Sequence, residues 1–185
     1  MKLSLKEIAK VLVGRYQRPE VDGEVCYLQV KDFDEGGRFN GKVDNKIKKE
    51  EIPGHFYLQV NDVLYAAKGD KNFAVIYPEG IGGAVASPSF LIIRLIVNFV
   101  LPEFLVWYLN HPEVAEKLKK LAIGTNIRSI SRKSLAEFRV EVPPLEKQVQ
   151  LLELAGLFEK ARRIEDDLSE QKRCYRNGLL MSLIK

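Results

Sequence analysis

The sequence predicts an α+β fold: a compact α/β body with a curled, mostly antiparallel sheet, followed by a long C-terminal coiled-coil helix. Three observations carry this. Between residues 25 and 95, short runs rich in Val, Ile, Tyr and Phe alternate with turns marked by Gly, Pro, Asn and Asp, at about ten-residue spacing. Two amphipathic helical patterns follow, each opened by a proline. After Pro144 no proline occurs and the only glycines are Gly156 and Gly178, so one helix can run to Lys185.

Taken in order, Leu3, Leu5, Ile8, Ala9 and Leu12 fit a short amphipathic opening helix, capped by Ser4 and broken at Gly14. Strands are expected over residues 25–30, 63–67, 73–77 and 90–95, with a shorter one at 84–86 beyond the bend at Gly82 and Gly83. An acidic, glycine-rich turn over 32–37 and a polar surface loop over 38–51, containing one short strand, lie between the first two. Leu101-Pro102-Glu103 opens a helix with Phe104, Leu105, Tyr108 and Leu109 on one face. Pro112 restarts it, and Val114, Leu118 and Leu121 continue an apolar face that Gly124 ends. Ile127 and Ile130 flank a β-like piece, 134–137 suits one helical turn, and 138–142 alternates as a half-exposed strand.

Pro143 lacks an amide hydrogen and biases Val142 toward extended backbone, so that strand stops there. Pro144 suits the first positions of a helix. The joint divides the chain into a body, 1–142, and an arm, 143–185. Along the arm Leu154, Leu157, Ala161, Ile164 and Leu168 recur at spacings of three and four, a coiled-coil seam that Gln171, Tyr175 and Gly178 weaken. A lone helix with one apolar stripe calls for a partner, and its balanced charges suit interhelical ion pairs. The alternative is an arm folded back on its own body.

With 46% hydrophobic and 9% aromatic residues among 185, the chain can bury a core. A net charge of +4 is modest, but its distribution is uneven. From Lys117 to Lys133 there are six cations and no acid, and from Arg38 to Lys49 five cations meet only Asp44. From Glu146 onward eight cations meet seven acids, so the basic character belongs to the body. Cys26 and Cys174, far apart and without metal-ligand spacing, read as reduced thiols of a cytoplasmic protein. The opening residues alternate charge too early for a signal peptide. The most apolar stretch, 90–109, is broken by Arg94, Asn98, Pro102 and Glu103, so no membrane span is expected.

Several segments, LSLKEIAKVLVGR, NDVLYAAKGD, GIGGAVASPSFLIIRL, LPEFLVWYLN and IGTNIRSISRKSLAEFRVEVPPLEKQ, together with the long helix, resemble a type I restriction–modification specificity subunit in the family's order. The resemblance covers nearly the whole chain, and the PPLEKQ element with its upstream Gly-Thr is its most specific part. It implies a DNA target recognition domain over 1–142 and a conserved spacer helix over 143–185. That helix would pack antiparallel against its counterpart and dock methyltransferase (modification) subunits, with the restriction subunit joining through the complex. Full-length members carry two such units and this chain carries one. It therefore resembles a half-subunit that forms a homodimer through its C-terminal helix, or else is a fragment.

The residues are consistent with double-stranded DNA as partner. Gly124, Thr125 and Asn126 follow a basic helix end and can offer amides and a hydroxyl to phosphate, with Arg128, Arg132 and Lys133 adding charge. Asn126 and Arg128 have the side-chain chemistry for bidentate contact to adenine and guanine. The plainer reading is a C-cap glycine and a solvated basic face. Lys68 and Gly69 lie in a turn at a strand end, where the resemblance implies a DNA-facing loop; a simple β-turn is the alternative. Arg38 and Lys42 belong to a polar loop that crosses a groove or only confers solubility. Tyr16, Phe39 and Tyr57 lie near that surface or in the core. His55 and His111 read as structural.

Enzyme readings lack their motifs. There is no glycine-rich cofactor loop between strand and helix, no Asp/Asn-Pro-Pro-aromatic motif, and no strand-borne carboxylate cluster with a lysine for a divalent ion. Asp32, Asp34 and Glu35 read as a solvated acidic turn. No catalytic residue, metal ligand or cofactor is expected. The remaining alternatives are a scaffold that docks methyltransferase subunits without reading DNA, and the recognition domain of a split type IIG-like enzyme.

Overall fold

A computed structural model of the chain describes residues 1–34, 36–49, 52–69, 72–124 and 128–182. In chain order the elements are β1 (Lys2–Ser4), α1 (Leu5–Ile8), β2 (Ala9–Val13), β3 (Val25–Leu28), β4 (Lys46–Ile47), β5 (Val63–Ala66), β6 (Ala74–Ile76), β7 (Ala84–Ala86) and β8 (Phe90–Leu95). Then come α2 (Pro102–Asn110), α3 (Pro112–Lys119), α4 (Arg132–Glu137), β9 (Arg139–Glu141) and α5 (Leu145–Ser182). By packing they form two units, Met1–Leu145 and the helix from Glu146 onward. The fold is α+β with largely antiparallel sheets and a long C-terminal helix.

The strands divide into three small sheets. Four antiparallel strands run in the order β2-β8-β5-β6; β4-β3-β7 form a second sheet, in which β3 and β7 are parallel; β1 pairs with β9. The central strands β5 and β8 are buried on both sides, which is why VLYA and FLII are unbroken apolar runs. Leu64, Ala66, Phe90 and Ile92 face one way and share a core with Leu28, Ala84 and Ala86 of the second sheet. Val25, Tyr27 and Val85 point to that sheet's other side and pack with Ile47 and Ile52. Period-two alternation thus sorts β3 and β7 between two clusters. Helix α2 packs on β5 and β6 and buries Phe104, Leu105 and Leu109.

Edge strand β6 is partly closed by the last residue of α2. The Asn110 side-chain oxygen accepts from the Ala74 amide at 2.7 Å, and its nitrogen donates to the Ala74 carbonyl at 2.8 Å. An edge with satisfied backbone groups is a poor template for further strands. Strand β9 shows the expected half-exposed alternation, with Val140 buried between exposed Arg139 and Glu141. Its partner β1 brings Met1 to Val142, and the two exchange hydrogen bonds at 2.7 Å.

Three expectations are corrected. The opening helix is a single turn: Ser4 and Glu7 form a capping box, but Ala9 is already extended and Ala9–Val13 pair with β8. The apolar spacing of Leu5, Ile8 and Leu12 suits a helix locally, and pairing with a buried strand overrides it. Gly14 marks a close approach, since a Cβ there would sit 2.0 Å from the Ser87 carbonyl oxygen. Helix α3 ends at Lys119, short of Gly124. In the acidic turn Asp32 is buried, accepting from the Gln29 amide at 2.7 Å, and burial raises its pKa. Glu35 lies outside the described residues.

Tyr65 on β5 is buried, its hydroxyl has no hydrogen-bond partner among the described residues, and burial pushes its ionisation upward. An unmatched buried donor costs about 1–3 kcal/mol. Tyr65→Phe is therefore expected to hold or raise the melting temperature. A loss of more than about 1 kcal/mol in denaturant titrations would show that the hydroxyl is satisfied in solution.

Candidate nucleic-acid interface

Beyond β5 the chain turns out of the sheet through Gly69, whose φ of +90° lies in the left-handed region that favours glycine. The turn is tied to the segment before α4. The Gly69 amide donates to the Arg128 carbonyl and the Ile130 amide to the Ala67 carbonyl, both at 2.9 Å, and Lys68 bridges Ser129 in antiparallel fashion. Ser129 also exchanges two 3.0 Å bonds with Ile123 just beyond α3. Two loops distant in sequence are thereby held as one three-stranded patch.

This patch brings together three of the expected site residues, Lys68, Gly69 and Arg128. Lys119 at the end of α3 joins them. Gly69, Asn72, Lys119, Ala122 and Arg128 line an open concavity of about 220 Å3. Lys68 and Arg128 are exposed, with no ion-pair partner among the described residues, while Lys119 touches Glu116 at 3.2 Å. Exposed cations beside fixed backbone suit a phosphate-bearing ligand. Thr125 and Asn126 lie outside the described residues.

The other candidates lie elsewhere. Arg132 and Lys133 stand on α4, whose N-terminus is capped by the Ser131 hydroxyl accepting from the Ser134 amide at 3.0 Å. They line a different groove, of about 510 Å3, with Lys6 and Lys10. Arg38 and Lys42 belong to the loop after β3. There the Asp34 carboxylate accepts from the Gly36 and Arg38 amides at 2.8 Å. Lys42 pairs with Asp44 at 2.7 Å, which raises the lysine pKa and lowers that of the aspartate. Its charge is thus answered locally, and it is a weaker candidate than Lys68. Phe39 packs against Phe33 at 5.7 Å, whereas Tyr16 is exposed.

On the arm, Leu154, Leu157, Ile164 and Leu168 are exposed, between 48% and 67%. Glu159 pairs with Arg162 and Arg163, and Glu170 with Arg173, all within the helix. The seam therefore presents apolar side chains beside two such charge clusters. Among the described residues no group of His, Cys, Asp or Glu is placed to hold a metal ion, and no helix is long and apolar enough to cross a membrane.

The family model described as type I restriction modification DNA specificity domain matches residues 1–171. The chain belongs to this family. No curated protein matches it. Among solved structures, the HsdS subunit from Thermoanaerobacter tengcongensis is 20% identical with a TM-score of 0.68, covering 94% of this chain and 45% of that one. The S subunit of a type-I restriction-modification system from M. genitalium is 16% identical with a TM-score of 0.59, covering 86% and 39%. A chain from a structure of type I R-M complex assembly and conformational transition is 20% identical with a TM-score of 0.69, covering 94% and 45%. These identities establish a shared fold, and this chain spans less than half the length of each.

Within this specificity domain, three features escape a reading of the sequence. Arg94 on β8 holds Asp62 with two bonds, of 2.8 and 2.6 Å, and also donates to the Tyr57 carbonyl at 3.1 Å. The Arg15 guanidinium lies 4.9 Å from the Phe56 ring centroid, and the His55 ring lies tilted against it at 4.2 Å. Lys6 and Lys10 join Arg132 and Lys133. The Arg94 pair carried one signal, a lone charge inside an apolar strand, which in a buried strand needs a partner.

Proposed function

We propose that this chain is a DNA-specificity subunit without catalytic activity of its own, acting in a type I restriction–modification system. In this reading the body, 1–142, is the DNA target recognition domain and the arm, 143–185, is the spacer and dimerisation helix. Two copies pair through Leu154, Leu157, Ala161, Ile164 and Leu168. They present two bodies to a bipartite target and dock methyltransferase subunits, which the restriction subunit joins. The single observation that carries the reading is the hydrogen-bonded union of the Lys68 turn with the Arg128 segment, inside a chain of the DNA specificity family. It fixes the backbone beneath two exposed cations, Lys68 and Arg128, and Arg128 shares an open concavity with Lys119, so charge for phosphate and a guanidinium for base edges stand on adjoining segments.

Affinity for duplex DNA across a salt series, for the unaltered chain and two variants, tests this. The unaltered chain should lose affinity steeply as salt rises, because bound cations release counterions from DNA. Lys68→Ala should weaken all sequences alike and reduce the slope of log K against log salt by about 1. Arg128→Ala should cost roughly 1–3 kcal/mol and relax sequence preference. A protein that docks methyltransferase subunits yet shows no salt-dependent DNA binding would instead be a scaffold.

A further inference from the structure

Two sets of cations on the body contrast with one another. Lys2, Lys42, Lys48, Arg94 and Lys119 each have a carboxylate within 4 Å, at 3.7, 2.7, 2.7, 2.6 and 3.2 Å respectively. Lys6, Lys10, Arg132 and Lys133 have no ion-pair partner among the described residues, and all four are exposed. They come from three elements, α1, β2 and α4, which pack on one another. Together they line a single groove of about 510 Å3 floored by Ala9, Val11, Leu12 and Ala136, with Glu137 the one acid.

Four like charges gathered around an aliphatic floor repel one another, and among the described residues only Glu137 in the groove and Glu7 beside Lys6 offset them. The same arrangement is suited to capturing an anion. A low-dielectric wall lined by one sign of charge focuses the field outward, and long basic side chains can lay their stems on such a floor with their heads at the rim. Lysine ammonium groups meet phosphate as point charges and carry no base code.

We propose that this groove seats the sugar–phosphate backbone of duplex DNA without regard to sequence, with Lys6 and Lys10 as positioning residues beside Arg132 and Lys133. This rests on the DNA-binding reading above and adds a second surface to it, distinct from the Lys68–Arg128 patch. Duplex DNA is favoured over an acidic protein segment because this groove and the Arg128 concavity are both cationic, in a chain of the DNA specificity family. The arm, by contrast, carries an exposed apolar seam, with Glu159 paired to Arg162 and Arg163 and Glu170 to Arg173.

The test uses the full chain carrying Lys6→Ala and Lys10→Ala together, beside the unaltered chain and the Lys6→Arg/Lys10→Arg variant. Each is titrated against a duplex of selected sequence and a scrambled duplex of equal length, across a salt series. The alanine pair should weaken both duplexes by the same factor and leave their ratio unchanged. It should flatten the slope of log K against log salt by about 1.8, near 0.9 for each phosphate no longer neutralised. The arginine pair should restore binding, and unchanged melting of all three proteins shows that the fold is intact. An unchanged slope overturns the proposal, as does a weakening confined to the selected duplex, which marks base reading. Intact DNA binding with weakened capture of the modification subunit also overturns it, in favour of protein docking. Absence of any duplex binding by the unaltered chain overturns the DNA reading itself.

Discussion

Replacing Arg94 with Met lowers the unfolding free energy by about 3–5 kcal/mol, the usual cost of stripping one partner from a buried ion pair. Asp62 is 1% exposed, and its side chain also accepts from the Gln59 amide at 2.8 Å. Without the guanidinium its carboxylate keeps one bond and has no counter-charge. The pair raises the Arg94 pKa further, chiefly through the hydrogen bond to Asp62, so arginine stays charged at every pH the fold survives. In a domain of this size the melting temperature should fall by roughly 10 °C. Asp62→Asn in the same background should recover part of the stability by removing the stranded charge, and the double-mutant cycle reads the coupling. A single-variant change under about 1 kcal/mol would mean that solvent reaches the pair. The clamp fastens the start of β5 to β8, and β5 leads into the Lys68 turn.

The second large effect is on assembly. Leu157→Glu with Ile164→Glu places two charges in the middle of the arm's apolar seam, and the dimer is expected to dissociate entirely at micromolar concentration. The helix of 38 residues would be about 57 Å long, and its seam residues are exposed within the single chain. Burying apolar surface is the main term favouring association, and each buried carboxylate facing an apolar partner opposes it. Light scattering should give the mass of two chains for the unaltered protein and of one for the variant. The circular dichroism of the body should be unchanged, since both positions lie beyond Leu145. A variant that stays dimeric would move the interface off the seam.

Much of the fold is legible in the sequence because its signals are local. Pro143 and Pro144 end a strand and open a helix, and the runs VLYA of β5 and FLII of β8 are apolar without interruption because both faces are covered. The misread opening shows the limit. Leu5, Ile8 and Leu12 satisfy a helical period, yet strand geometry from Ala9 onward comes from β8, with Ala9 paired to Leu95, 86 residues away in sequence. The candidate interface is legible only in pieces for the same reason. The basic run from Lys117 to Lys133 looks continuous, but folding sends Lys119 and Arg128 to one surface and Arg132 and Lys133 to another. Lys68 meets Arg128 only through the Gly69 and Ile130 hydrogen bonds, and Lys6 and Lys10 meet α4 only through packing. No spacing rule records those pairings.

The most direct test of the central claim is selection from a random duplex library by the full chain, alone and with the cognate modification subunit present. The account predicts enrichment of a bipartite sequence with two related half-sites at fixed separation, strengthened by the modification subunit. Enrichment should be lost in the Leu157→Glu/Ile164→Glu protein, because one body then reads one half-site. Failure to enrich any sequence under either condition would contradict it.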